Sequence, residues 1–140
     1  MTRDQITLMF ERRRLAMERQ DAATLLKDYA DDCIVESPAA GVHTGRKAIE
    51  EAIRTMFMAL DVKVHQQALL IDGNFVAQIV LMDGKDVNEF LGIPPTGKSF
   101  RAPAVFLYEL RDLKIIHERR IYDFTGLLLQ IGVLKAKPAI

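Results

Sequence analysis

One change of rhythm limits what this chain can become. Near residue 61 the apolar residues stop recurring at helical spacing and begin to alternate. Upstream, Ile6, Met9, Phe10, Arg13, Ala16 and Met17 share one helical stripe over 4–19, with Thr2 or Asp4 placed to cap it. Asp21 opens a second helix carrying Ala22, Leu25, Leu26 and Tyr29, which Ala30-Asp31-Asp32 ends. A short strand over 33–36 stops at Ser37-Pro38, because the residue before a proline is pushed toward extended backbone. A loop over 39–45 leads to a third helix over 46–60, with Ile49, Ala52, Ile53, Met56, Phe57 and Leu60 on its stripe and Thr44 as a cap.

Downstream the pattern predicts strands over 62–71 and 75–82, joined by the turn Asp72-Gly73-Asn74. Asp83-Gly84 turns the chain again into a short strand over 87–91, followed by the loop Gly92-Ile93-Pro94-Pro95-Thr96-Gly97. Two long strands follow, 98–110 and 114–122, with Arg111-Asp112 as their turn; Asp123 then opens a short helix over 124–131. Helices first and paired strands afterwards give an α+β fold, with three N-terminal helices on one face of a curved, mainly antiparallel sheet. A long sheet covered on one face curls and leaves a cavity beneath the helices. The six methionines and scattered aromatics suit its lining.

A chain of 140 residues is expected to form one domain spanning 1–140. Lys plus Arg and Asp plus Glu both number 19, so the formal net charge is zero. That balance argues against nucleic-acid or membrane-surface partners, which usually demand a basic excess. Arg12-Arg13-Arg14 is flanked by Glu11 and Glu18 inside a helical pattern and reads as a solvated helix face. The single cysteine, Cys33, excludes an internal disulfide and reads as core. No apolar leader occurs, and no run nears the ~18 apolar residues of a membrane span, so a cytoplasmic protein is expected. His43, His65 and His117 lack metal-ligand spacing, and no glycine-rich phosphate loop is present; neither metal nor cofactor is expected.

Two segments resemble a known group of proteins. YADDCIVESPAAGVHTGRKAIEEAI is similar to the second-helix, strand and third-helix stretch of the nuclear transport factor 2-like superfamily. GIPPTGKSFRAPAVFLYELRDLKIIHERRIYDFTGLLLQIG resembles the C-terminal half of the SnoaL-like polyketide cyclases, also called the ester cyclase family. The resemblance implies a cone-shaped pocket, a small hydrophobic ligand, and a homodimer through the outer sheet face, where Phe106 and Tyr108 would lie. It also tests the catalytic sets of related enzymes. The ketosteroid isomerase positions are held by Ser37, Arg13 and Val105, and the limonene-type epoxide hydrolase positions by Val87, Glu89 and Arg120. Neither set is retained. The acid of the SnoaL-like cyclases matches Asp123, while the aromatic four residues earlier is Arg119 here.

The same resemblance turns Glu118, Arg120 and Tyr122 toward the pocket, with Glu89 beside them. Two carboxylates around one guanidinium would both stay ionised, and a tyrosine hydroxyl could polarise a substrate oxygen. The expected function is therefore acid–base chemistry on a small hydrophobic carbonyl compound: cyclisation, isomerisation or hydration, with a non-catalytic binding protein as the alternative. Glu118 or Asp123 would exchange the proton, Arg120 would orient it, and Tyr122 would polarise the carbonyl. Ser37, His43, Glu89, Arg101 and Val105 are the candidate substrate contacts. Asp123 has a second reading as an N-cap, and Glu118 with Arg120 as an outward ion pair.

Overall fold

The structure, a computed structural model, describes residues 1–136. Helix α1 (Arg3–Glu18) starts at a capping box, in which the Thr2 hydroxyl accepts from Gln5 N at 3.1 Å and Gln5 Oε1 accepts from Thr2 N at 2.8 Å. Helix α2 (Ala22–Leu26) is capped by Asp21, and helix α3 (Arg46–Leu60) begins at Gly45, with no side-chain cap from Thr44. The strands are β1 (Tyr29–Ser37), β2 (Gly41–Thr44), β3 (Lys63–Asp72), β4 (Phe75–Lys85), β5 (Ser99–Arg111) and β6 (Lys114–Tyr122). Helix α4 (Phe124–Gln130) closes the order. They form one sheet ordered β2-β1-β6-β5-β4-β3, antiparallel throughout except for the parallel pair β1 and β6.

Four readings differ from expectation. Asp83-Gly84 does not turn the chain but continues β4 to Lys85, with Gly84 paired to Phe100 of β5. Tyr29 opens β1 instead of extending α2, because its backbone pairs with Ile115 of β6 and Ile115 N donates to Asp28 O at 2.7 Å. The expected loop after Pro38 contains β2, which pairs back onto β1. The expected strand over 87–91 is absent: only an isolated bridge joins Phe90 to Ile93, and Val87 N and Asn88 N donate to Ala59 O at the end of α3.

Alternation decides the faces. Phe100, Ala102, Ala104, Phe106, Tyr108 and Leu110 of β5 all point inward and are buried, as are Val76, Gln78, Val80 and Met82 of β4. Two bulges keep the neighbouring strands in phase. Gln67 is the extra residue of β3, and Ile116 that of β6, where Glu109 faces His117 while Leu110 faces Ile115. The second bulge puts Ile115 on the same face as Glu118, Arg120 and Tyr122. The core lies between this inner face and the helices, joined by Ile6, Phe10, Leu25, Ile49, Ile53 and Phe57. Phe106 and Tyr108 therefore belong to the interior, not to the outer face; the exposed apolar residues outside are Ile34, Val42, Leu70, Phe75, Leu107 and Ile121. Among the described residues, no helix is long and apolar enough to cross a membrane.

Candidate functional site

A cavity of about 320 Å³ opens between the inner sheet face and α3. Its floor is Val35 and Ser37 of β1, Phe100 and Phe106 of β5, and Arg120 and Tyr122 of β6, with His43 of β2 at the side. Its roof is Ala48, Glu51, Ala52 and Thr55, an i, i+3, i+4, i+7 stripe of α3, together with Met56. Phe90 and Leu91 cover one end and Leu127 of α4 another. The covering loop is pinned from below. Asp86 is buried, and its Oδ2 accepts from Thr96 N at 2.9 Å and Thr96 Oγ1 at 3.0 Å, which holds the Pro94-Pro95 turn in place.

The wall is mostly apolar, so its few polar atoms set the chemistry. Arg120 donates from Nε to Glu118 Oε2, its guanidinium lies 5.6 Å from the Phe106 ring centre, and its Nη1 contacts the Met56 sulfur at 3.8 Å. Among the described residues, nothing accepts a hydrogen bond from its Nη2. Tyr122 Oη and Ser37 Oγ share a hydrogen bond at 3.1 Å. His43 presents a buried Nε2 that has no partner among the described residues.

Behind Arg120 lies a closed polar network. Glu118 is 1% exposed; Tyr29 Oη donates to its Oε1 while Arg120 holds its Oε2. Arg13 Nη2 donates to Tyr29 Oη at 3.2 Å, and its Nη1 donates to Asp28 Oδ2 and Leu25 O, both at 3.1 Å. Its guanidinium is 5.2 Å from the Tyr29 ring centre and 5.6 Å from that of Tyr108. Burial pushes the Glu118 carboxyl up, but Arg120 and Arg13, with the hydrogen bonds from Tyr29 and Arg120, hold it below the usual glutamate range. Glu118 is thus a carboxylate with both oxygens engaged. Burial alone would lower Arg120, yet Glu118 outweighs it and keeps the guanidinium charged. Burial, then the Glu118 charge, pushes the Tyr29 phenol up, so it stays neutral and donates.

Arg120, Tyr122, Ser37 and His43 reach the cavity wall. Glu118 sits one layer behind it. Asp123 caps α4, accepting from Gly126 N at 2.9 Å, and is exposed. Glu89 is exposed on the covering loop, because no strand forms there to turn it inward. Arg101 and Val105 point away from the cavity, since the inward positions of β5 are Ala102, Ala104 and Phe106. Arg101 instead pairs with Asp83 at 2.7 Å on the outer face, and its backbone N and O are gripped by the Gln130 side chain at 2.8 and 3.0 Å. Arg13 is not part of a solvated helix face: it is buried, and its place on the apolar stripe of α1 is the signal that marks it. Glu51 and Thr55 also line the cavity; their signal is the stripe they share with Ala48 and Ala52.

A curved sheet wrapped by helices around an apolar cavity defines the nuclear transport factor 2-like class of proteins. Within that class the chain matches the family model of the SnoaL-like polyketide cyclases over residues 7–131, and it belongs to that family. Over 107 residues it is 29% identical to the nogalonic acid methyl ester cyclase of Streptomyces nogalater, covering 75% of this chain and 78% of that protein. Among solved structures, TsrD from Streptomyces laurentii superposes with a TM-score of 0.83 at 22% identity, over 96% of this chain and 99% of the other. AclR of Streptomyces galilaeus, described as a candidate hydroxylase, gives 0.82 at 18% identity over 98% and 91%. These structures share the fold, and the fold alone does not name the reaction.

Proposed function

We propose that the protein is a cofactor-independent enzyme that forms an enolate from a small hydrophobic carbonyl compound and resolves it by ring closure. Isomerisation uses the same first step, and hydration of an enone passes through the same kind of enolate after water adds. The observation that carries this reading is Arg120, a guanidinium fixed by Glu118 on the wall of an apolar cavity with its Nη2 unengaged. A substrate carbonyl oxygen would accept from that Nη2 and from Tyr122 Oη, while Ser37 Oγ donates to the tyrosine oxygen. When the proton leaves the α-carbon, its bonding pair moves onto the carbonyl oxygen. The resulting enolate carbon can attack a second carbonyl of the same molecule, forming one carbon–carbon bond, and the new alkoxide takes up the proton. Donors placed in advance where charge develops, in a site poor in water, are the strongest electrostatic aid a protein offers. The ester cyclase relative supports ring closure as the outcome.

The test uses 2-tetralone, whose activated C1 protons exchange in D2O, followed by proton NMR. Exchange with the wild-type protein should exceed the buffer rate at least tenfold. Arg120→Lys, which keeps the charge and loses the fork, should lose most of that gain. A second variant, Glu118→Leu/Arg120→Leu, removes the pair together and guards against a folding artefact. One observation favours a second reading: neither Glu118 nor Asp123 offers a free carboxylate oxygen to the cavity. Saturable binding of 2-tetralone with exchange at the buffer rate would establish a binding protein and end the enzyme reading.

We further propose that the outer sheet face, with Leu70, Phe75, Leu107 and Ile121, pairs two copies of the chain. Light scattering that finds a monomer at micromolar concentration would remove this proposal.

A further inference from the structure

Enolate formation needs a group to take the α-proton, and the two carboxylates expected to do so are occupied elsewhere. Glu118 is engaged on both oxygens behind the wall, and Asp123 is spent on the α4 N-terminus. The groups on the cavity wall that can change protonation near neutral pH are few. Arg120 remains charged and Tyr122 serves the carbonyl. Glu51 sits on an exposed turn of α3 at the rim. His43 is different. Its Nε2 is shut off from solvent and has no hydrogen-bond partner among the described residues.

The sheet register shows why His43 faces the substrate space. His43 pairs with Val35 across β2 and β1, and Val35 pairs with Glu118 across β1 and β6. Directly opposed residues share a face, so His43 points inward, as Val35 does. Two inter-strand spacings put its backbone about 10 Å from that of β6. The imidazole thus projects from one side of the small Val35 and Glu118, which holds the Arg120 guanidinium, from the other, so that a carbonyl oxygen would sit toward Arg120 and its α-carbon toward His43. An imidazole is the side chain whose ordinary proton exchange falls nearest neutral pH. His43 lines the cavity, and its Nε2 is buried without a hydrogen-bond partner among the described residues, a costly arrangement unless a turn of the ring toward a ligand completes it.

Resting on the carbonyl reading above, we propose that His43 is the catalytic base: its Nε2 takes the α-proton of the bound carbonyl compound and returns it to the product oxygen or carbon. The proton moves from carbon to Nε2, the bonding pair passes to the carbonyl oxygen opposite Arg120, and the second transfer restores neutral imidazole, so no co-reactant is consumed. The charged and titratable groups sharing the wall with it are Glu51 from α3 and Arg120 and Tyr122 from β6.

The experiment combines exchange with a direct view of the ring. In His43→Ala, C1 exchange of 2-tetralone should fall by about 10²–10⁴-fold, the usual span of general-base catalysis. The dissociation constant of 2-naphthol, a stable mimic of the enol, should change by less than threefold. Added free imidazole should restore part of the exchange rate in His43→Ala and none in Arg120→Lys. In the ¹⁵N-labelled wild type, 2-naphthol should shift the His43 Nε2 resonance and leave those of His65 and His117 in place. Three results overturn the proposal: exchange in His43→Ala within twofold of wild type, a loss confined to KM, or a silent His43 resonance while 2-naphthol is bound. Each of these leaves the Arg120 reading standing. A wild type that binds 2-naphthol without accelerating exchange overturns both.

Discussion

The inner face of the sheet has two ends with the same backbone and opposite habits. Under α1, the polar groups satisfy one another with one exception, the buried Arg13 Nε: Asp28, Arg13, Tyr29 and Glu118 form a continuous chain of hydrogen bonds, and Tyr108 Oη donates to Gln78 Oε1. Under α3, two strand positions further along β6, the polar groups are left with open valences: Arg120 Nη2, the Tyr122–Ser37 hydroxyl pair and His43 Nε2. The closed end is where the charge is built and fixed. On the proposed function, the open end is where it is used. Arg120 belongs to both, since its Nε faces the network and its far side faces the cavity. The difference shows how a neutral chain with few ionisable groups in its pocket can still hold a cation in place there, through Glu118.

The strongest way to break this division is Glu118→Ala. It leaves Arg120 and the Tyr29 hydroxyl without their shared acceptor in a site closed to water. Removing one partner of a buried pair costs about 3–5 kcal/mol, which urea denaturation would read directly. The double variant Glu118→Leu/Arg120→Leu should recover a large part of that loss while removing the cation. If Glu118→Ala cost less than 1 kcal/mol, the network would not be what fixes Arg120.

Acid sharpens the same point with a defined sign. Glu118 is held below its ordinary value of 4.5 in the folded protein, so the unfolded chain takes up this proton first as pH falls. Its contribution is fully present above the unfolded value and is lost as pH drops through the lower folded one. The stability gap between wild type and Glu118→Gln should therefore be constant at neutral pH and narrow below about pH 4.5. A gap that widened there would mean that the folded protein raises this carboxyl.

Much of the division can be read from residue order, and what cannot is informative. The alternation of β5 places Phe100, Ala102, Ala104, Phe106 and Tyr108 on one face without any structure, and it contradicts the inward placement of Arg101 and Val105 borrowed from a distant comparison. Arg120 and Tyr122 share a face by the same rule. Ile115 does not follow it, because the bulge at Ile116 exists only once β6 is paired to β5. Tyr29 fits a helical stripe as well as a strand; the pairing of its backbone with β6 and the acceptor offered by Glu118 decide between them, and both lie far away in sequence. His43 is legible as a residue of a loop before a helix. That the loop folds back as β2 and turns the ring inward depends on its register with Val35.

Asp123 marks the border of the open end and tests whether the site stops there. Its carboxylate accepts from Gly126 N at 2.9 Å, as an N-cap does. Asp123→Ala should cost about 1 kcal/mol of stability and leave 2-naphthol binding and 2-tetralone exchange unchanged. A hundredfold loss of exchange with the fold intact would return Asp123 to the acid–base role and redraw the border.

The smallest expected effect is the most selective. Tyr122→Phe removes one oxygen from the open end and nothing from the closed one, because Tyr122 Oη bonds only to Ser37 Oγ among the described residues, at 3.1 Å. A single neutral hydrogen bond contributes about 0.5–1.5 kcal/mol, equivalent to roughly a two- to twelvefold effect. Stability should therefore stay near wild type, since Ser37 can turn its hydroxyl to the cavity. Binding of 2-naphthol should weaken severalfold, and more so for the naphtholate than for the neutral phenol, because donors bond more strongly to an anion. Equal weakening of both forms would mean that Tyr122 recognises shape alone. In that case Arg120 would be the sole group answering to charge, and the open end would hold one oxyanion donor instead of two.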